Sequence, residues 1–457
     1  MQERYLLTER EINDDLTRPV LQTPLWFWVL AALLGGGVGL GLLAVVGVFV
    51  IFGLGVTGLN RPVFWGFMIT NFVFWVGISH AGVMISSILR LSQAEWRRPV
   101  TRAAEVLTIF ALATAMIFPL IHTGRPWRTL YWVFPYDFFR GIWPNVRSPL
   151  VWDPSAIFTY LTSASLFVYV ALLPDLAVLR ERTTGLPHLF YSIVSLGWRG
   201  TPRQWGLQAL AGILLSALIL PVFVSVHSIV SWDFAVAVVP NWHATIFAPY
   251  FVIGAVWSGV SAVATLMVIM RFLFKWEKYI TPDHFDAIGR LLLVVGNGWF
   301  YFFVLEFLFG FYGGEPAEVV VREFQLFSWP WNLLFTIFIF TAYLIPIPML
   351  CFRGIRRSIK WILITSLLVN VGMWLERFII IVPGLAFKQV LTFSYGDYTP
   401  SIFEFAVVFA SFCLVGLGIL IFSKVFPLMP IGEAKEGQIF RTSVKVGKVE
   451  VPAVVRE

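Results

Sequence analysis

Cysteine and charge are both scarce in this 457-residue chain. The two cysteines, Cys351 and Cys413, cannot by themselves ligate an iron–sulfur cluster or a structural zinc ion, each of which usually takes about four protein ligands. Nothing in their spacing suggests a disulfide. Charged residues make up 13% of the chain, where soluble domains carry about 25%. With 58% hydrophobic and 17% aromatic residues, the chain cannot cover its surface with water-compatible groups, and lipid must be its solvent. The net charge of +7 is spread over short loops, which is not a nucleic-acid-binding pattern. The N-terminal stretch MQERYLLTEREINDDLTRPV lacks the basic start and apolar run of a cleavable signal peptide, so the first span is expected to direct insertion. Histidine is also sparse. Of six, only His80 falls well inside an apolar run, which leaves no facing pairs for bis-histidine haem ligation.

What is abundant is long apolar runs. A membrane-crossing helix needs roughly 20 apolar residues. Ten segments qualify, at 26–55, 65–89, 103–122, 154–179, 206–228, 244–270, 287–311, 331–350, 358–382 and 401–426. The expected fold is an all-α polytopic membrane protein of ten transmembrane helices. Lys and Arg set its orientation. The termini and the even-numbered turns carry 25 of them, the other five loops carry 7, and Arg377 lies within a span. Cationic segments near span ends are retained in the cytoplasm, so both termini are expected there. Residues 1–25 and the tail 427–457 are then cytoplasmic segments in this reading.

Spans 2 and 6 contain FWVGISHAGV (74–83) and FVIGAVWSGV (251–260), in which Phe, Gly, Gly and Val align without gaps. Spans four apart run in the same direction. The repeat therefore predicts two four-helix bundles, spans 2–5 (65–228) and spans 6–9 (244–382), flanked by spans 1 and 10. Small residues at helix contacts also recur through packing alone. The one long outer loop, 123–152, is too aromatic for disorder and is expected on the membrane surface or against a partner.

Ionisable residues inside a membrane are costly and are functional candidates by default. His80 lies ~22 Å along span 2, and Glu306 ~28 Å along span 7, at 1.5 Å per residue. Glu376 and Arg377 sit at a similar level in span 9, and Asp175 near the inner end of span 4. Adjacent helical residues do not face each other, so Glu376 and Arg377 are each expected to pair with another helix. Asp175 reads as an interface residue. The outer face is denser. Span 3 ends PLIHTGRPW, bringing His122, Arg125 and Trp127 together, and span 4 opens SPLVWDPSA, with Asp153 as a candidate N-cap before Pro154. His227, Asp233 and His243 cluster around the outer connection of spans 5 and 6, where packing or partner contact is expected. A histidine and a carboxylate at the membrane–water boundary suit oxidation of a lipid-soluble quinol. That reaction releases two protons with two electrons and needs an acceptor that titrates near neutrality. Arg125 could polarise an oxygen and Trp127 wall in the ring.

At IHTGRPW (121–127), SPLVWD (148–153), PDLAVLRER (174–182), LGWRG (196–200), SVHSIVSWDFAV (225–236), PNWHATIFAPYFVIGAVWSG (240–259) and NVGMWLERFIIIV (370–382) the chain resembles the NrfD/polysulfide-reductase-like membrane subunits. Among these it is most similar to the quinol-binding, ActC-type subunits of bacterial alternative complex III. The resemblance implies menaquinol or ubiquinol oxidation near the outer face, with His122 and Asp153 at the site. It implies electron transfer to a periplasmic iron–sulfur subunit and on to multihaem cytochrome c, beside a homologous NrfD-like membrane subunit. It also implies proton movement through the bundles, for which His80, Asp175, Glu306, Glu376 and Arg377 are the candidates. No haem or iron–sulfur ligands are expected in this chain. Two other readings predict outer-loop docking equally well, a proton-translocating or transporter-like subunit without redox chemistry and a plain membrane anchor. Only the first predicts bound quinone.

Overall fold

The computed structural model describes residues 7–125, 127, 141, 146–387 and 396–439, with the backbone of 443–446 and 449–452. Most of the aromatic loop 123–152 lies outside the described residues, and so does its expected place on the membrane surface. Among the described residues ten helices are long and apolar enough to cross a membrane: Leu25–Val56, Phe67–Leu91, Thr101–His122, Pro149–Arg182, Pro202–Ala235, Phe247–Leu273, Pro282–Gly313, Trp331–Cys351, Ile359–Ala386 and Ile402–Val425. These are spans 1 to 10. Strands occur among the described residues only as a two-stranded antiparallel ribbon, Ser443–Val446 with Val449–Pro452.

Local signals set the helix ends. Span 5 starts at a capping box, Thr201 with Gln204, with Pro202 at the first turn. Span 10 starts at the equivalent pair Ser401 and Glu404. Span 7 stops at Gly314, whose φ of 61° is left-handed. Two ends differ from the sequence expectation. Span 4 begins at Pro149 with Ser148 as its N-cap, so Asp153 lies inside the helix and is not its cap. Span 5 continues to Ala235, so His227 and Asp233 are helical residues and not part of a connection. Three spans also contain a π-helical stretch, at Val45–Phe49, Val83–Ile88 and Phe340–Leu344, where the apolar runs alone predict unbroken helices. The stretch in span 2 follows directly on His80–Gly82, and wide turns of this kind often sit at functional positions.

Span 2 is the hub. Of its most apolar window, 89% is buried, against 22% for span 1. It crosses span 6 through the two repeat segments. A Cβ on Gly259 would come within 2.9 Å of the Ala81 backbone nitrogen, and one on Gly77 within 3.4 Å of Ser258 Oγ. Lipid gives no hydrophobic drive for helices to associate, so close backbone approach through small residues does that work.

The first and last described helices lie at one face of the helical assembly, called here the terminal face. A short helix, Glu9–Leu21, precedes span 1, and another, Ile431–Ile439, follows span 10. Lys435 of the second is 3.3 Å from Glu9 of the first. Glu433 bridges Arg90 at 3.0 Å and Arg97 at 2.9 Å, and Glu436 bonds Arg98 at 2.6 Å. The backbone N–H of Ile431 donates to Asp175 Oδ1 at 3.1 Å. At the far face, the amphipathic helix Pro316–Phe327 joins spans 7 and 8.

Gly259→Leu drives side-chain volume into the span 2–span 6 crossing. Overpacking of this kind costs about 1–3 kcal/mol, and the purified protein is expected to melt several degrees lower by scanning fluorimetry. Gly35→Leu is the control, because nothing lies within 4 Å of its Cβ position. Equal effects from the two substitutions would show that the crossing is not a tight contact.

Candidate functional site

The two spans of the sequence-predicted site, 3 and 4, have ends at the far face, where span 5 joins them. His122 is the last residue of span 3 and is half-buried, and its Nδ1 has no hydrogen-bond partner among the described residues. Asp153 is 6% exposed, one turn inside span 4. Its neighbour is Asp233 of span 5, and the two carboxyl groups lie within hydrogen-bonding reach of each other. One oxygen of each, Asp153 Oδ1 and Asp233 Oδ1, is buried with no partner. The adjacent Trp152 and Trp232 rings meet edge to face at 6.3 Å and hold the two helices in register. Among the described residues no hydrogen bond or ion pair joins His122 to Asp153. The partner of Asp153 is a second carboxyl group, one that sequence alone assigns to packing. A span 5 ending at 228 puts Asp233 in a loop. The apolar residues Ile229, Val230 and Phe234, which continue the helix past that point, are the available signal.

Arg125 and Trp127 are both exposed, just beyond the end of span 3. The Thr123 hydroxyl donates to the Arg125 carbonyl at 3.2 Å. A hydrogen-bonded or stacked role for either side chain is not formed among the described residues. His243 is 3.3 Å from Glu315 at the same face.

Deeper in the protein, His80 is fully buried in span 2. Its Nδ1 lies 2.7 Å from the Val76 carbonyl and its Nε2 3.0 Å from the Phe223 carbonyl. A neutral imidazole carries one N–H, so it can donate to only one of these two acceptors. The His227 ring meets the His80 ring edge to face at 4.6 Å and is itself fully buried, with no hydrogen-bond partner of good geometry. The Tyr160 hydroxyl closes the group by donating to the Ser79 carbonyl at 3.0 Å. The sequence pattern places His227 at the outer end of span 5, whereas the structure sets it beside His80.

Glu376 and Arg377 behave differently from expectation. They pair with each other, Arg377 Nη1 to Glu376 Oε2 at 2.5 Å, although they are consecutive on one helix. Long flexible side chains can curl together where backbone direction alone keeps neighbours apart. Glu376 also accepts from the Tyr250 hydroxyl and from Trp299 Nε1, the latter at 2.8 Å. The Arg377 guanidinium lies 5.1 Å over the Phe251 ring, which the His227 ring also meets at 5.9 Å. Two buried polar pairs, His80 with His227 and Arg377 with Glu376, therefore flank the apolar ring of Phe251.

The remaining two candidates are each held by an arginine. Glu306 is bound by Arg322 from the far-face helix at 2.8 Å, and Arg322 also takes Glu318 at 2.6 Å. A Cβ on Gly310 would collide with the Arg322 guanidinium, so only glycine leaves it room. Asp175 lies 3.2 Å from Arg102 and is 2% exposed, so it is a buried member of the terminal-face cluster. Below it Glu105 is 3.6 Å from Arg102 Nε, with both carboxylate oxygens otherwise unpartnered.

Comparison with known proteins places this geometry in context. The family profile described as polysulphide reductase, NrfD, matches residues 55–389. The chain is 24% identical over 472 residues to a Halobacterium salinarum protein named as a dimethyl sulfoxide reductase membrane subunit, covering 94% of this chain and 98% of that one. It is 20% identical over 397 residues to the Hdr-like menaquinol oxidoreductase integral membrane subunit of Archaeoglobus fulgidus, covering 82% of this chain and 88% of that one.

Removing one member of a buried ion pair strands the other and costs about 3–5 kcal/mol. Arg377→Leu is expected to lower the thermal midpoint sharply, and the double substitution Glu376→Gln with Arg377→Leu to recover much of the loss. Additive losses in that double-mutant cycle would show that the two side chains are not coupled.

Proposed function

The chain belongs to the polysulphide reductase NrfD family, and from that premise we propose that it is the quinol-binding membrane subunit of an alternative complex III-like quinol:electron-acceptor oxidoreductase. It sits in a bacterial cytoplasmic membrane, with the terminal face inside and the far face toward the periplasm. The basic residues of the termini and the turns on their side support that orientation. The name of the Archaeoglobus relative supports menaquinol as substrate.

The observation that carries the proposal is the set of buried acceptors at the far ends of spans 3, 4 and 5. Among the described residues His122 Nδ1, Asp153 Oδ1 and Asp233 Oδ1 all lack partners of good geometry. A quinol headgroup brings two hydroxyl donors, the complement such a set needs. Oxidation gives quinone, two protons and two electrons. The electrons leave to an iron–sulfur cluster of a periplasmic subunit docked on this face, then to multihaem cytochrome c subunits, beside a homologous membrane subunit. The protons pass to the carboxyl pair and to His122, whose Nδ1 is free to accept one. Two carboxyl groups in contact can hold one proton between them and release it when a second arrives. Arg125 and Trp127, at the mouth, polarise and wall the ring when it is bound. Proton movement away from the site follows His80, His227, Arg377 and Glu376. Glu306 and Asp175, engaged by Arg322 and Arg102, mark its two ends.

Asp233→Asn tests the arrangement beyond the family pattern. With quinol oxidation followed on the intact complex, His122→Ala, Asp153→Asn and Asp233→Asn are each expected to lose about 10²–10⁴-fold in turnover, the range for an acid–base group, while the complex still assembles. Wild-type turnover in Asp233→Asn would remove the carboxyl pair from the mechanism. Absence of quinone in extracts of the purified complex would remove quinol oxidation altogether.

A further inference from the structure

In the half of the protein nearest the terminal face, spans 1, 2, 3, 6, 9 and 10 line a partly open cavity of about 410 Å³. Its walls include Leu34, Phe74, Leu266, Ile269, Phe412 and Ile419, and no acidic, basic or histidine side chain lines it. A second cavity of about 250 Å³ shares Leu273, Phe274 and Ser423 with the first and carries Arg18, Lys275 and Lys424. These three cations come from three separate elements: the N-terminal helix, the residue after the C-cap of span 6, and the last turn of span 10. Trp26 and Phe27, at the start of span 1, line the same mouth. Aromatic residues at this level mark the membrane–water boundary.

The cations are held open in different ways. Lys424 donates to the carbonyls of Pro19 at 2.7 Å, Val20 at 3.2 Å and Gln22 at 2.8 Å, which fixes its ammonium at the rim. Arg18 donates to the Phe274 carbonyl at 2.8 Å and reaches Asp15 only at 3.8 Å. Lys275 is exposed, and no hydrogen bond or ion pair holds its ammonium among the described residues. Asp15 is shared between Arg18 and Lys278, at 3.8 and 3.9 Å, and no carboxylate lines either cavity, so the three cations sit beneath a chamber whose walls are uncharged and mainly apolar.

We propose that the two cavities form one site for an anionic phospholipid, with an acyl chain in the upper cavity and the phosphate against Arg18, Lys275 and Lys424. Basic pockets between spans bind anionic headgroups through the same charge complementarity. A second quinol-oxidising site does not suit the chamber, because no titratable group in its walls accepts a proton. A lipid of zero net charge leaves the excess of positive charge at the mouth uncompensated.

The test uses the full-length protein, purified in neutral detergent and titrated with phosphatidylglycerol or phosphatidylcholine of identical acyl chains, with bound lipid counted by native mass spectrometry. The expected result is one tightly held phosphatidylglycerol per chain, preferred over phosphatidylcholine by about fivefold or more, the scale of a single basic group near a membrane surface. Lys275→Glu combined with Arg18→Glu removes that preference and leaves phosphatidylcholine retention unchanged. Ala262→Trp, which fills the chamber, lowers retention of both. Lys275 is exposed, so the charge reversal is readable even where Ala262→Trp fails to fold. Equal retention of the two lipids by the wild type overturns the proposal, as does displacement by glycerol 3-phosphate, which would indicate a soluble-anion site. Loss of co-purifying quinone in Ala262→Trp with phosphatidylglycerol binding intact would assign the chamber to quinone and also overturn it.

Discussion

Hydrocarbon supplies neither donors nor acceptors, and that constraint organises this molecule. Each ionised or polar side chain below the membrane surface has to find its partner within the protein. The buried groups accordingly gather into clusters and are not scattered along the spans. Arg102 gathers Asp175 and Glu105, Arg322 gathers Glu306 and Glu318, and Arg377 holds Glu376, which also takes Tyr250 and Trp299. The clusters that remain incomplete then stand out. At the far face two carboxyl groups meet each other with no cation bonded to them among the described residues, and a histidine nearby keeps a free nitrogen. In a solvent that satisfies nothing, unsatisfied acceptors imply that something else completes them.

The contrast between satisfied and unsatisfied clusters also separates structural from chemical roles. Glu404 is fully buried, yet it accepts from the Tyr398 hydroxyl at 2.6 Å and from the Gly58 and Ser401 backbone N–H groups at 2.7 and 2.9 Å. Its capacity is used in tying span 10 to the segment before span 2, which is a clamp. Glu306 is similarly consumed by Arg322. Asp153 and Asp233, like Glu105, are buried with fewer partners among the described residues, and the proposed function rests on the first two.

The ten spans were legible because a membrane-crossing helix needs only length and apolarity, and both are written in composition, whereas the limits of spans 4 and 5 were not. His122 and Asp153 were legible as residues, since polar side chains at the ends of apolar runs are few. Their relationship was not. Asp153 meets Asp233 because spans 4 and 5 pack together, and packing between all-apolar helices leaves little periodic trace when lipid and protein neighbours are equally apolar. The same blindness hid the contact of His80 with His227, whose positions are 147 residues apart in the chain. Glu376 with Arg377 failed for another reason: the rule for helix neighbours describes where backbone sends a side chain, not how far a guanidinium can fold back. Glycine was the exception. Gly77 and Gly259 stand at the crossing of spans 2 and 6, and their repeat was visible as sequence similarity before it was visible as contact.

The closing helix Ile431–Ile439 touches residues drawn from much of the length of the chain: Glu9, Arg90, Arg97, Arg98 and Asp175. Those groups reach the ribosome exit long before it does. Until the last span has been threaded and this segment emerges, three arginines and a buried aspartate wait without their final counterpart. Its arrival seals them, and a chain truncated after the tenth span would leave them unsealed.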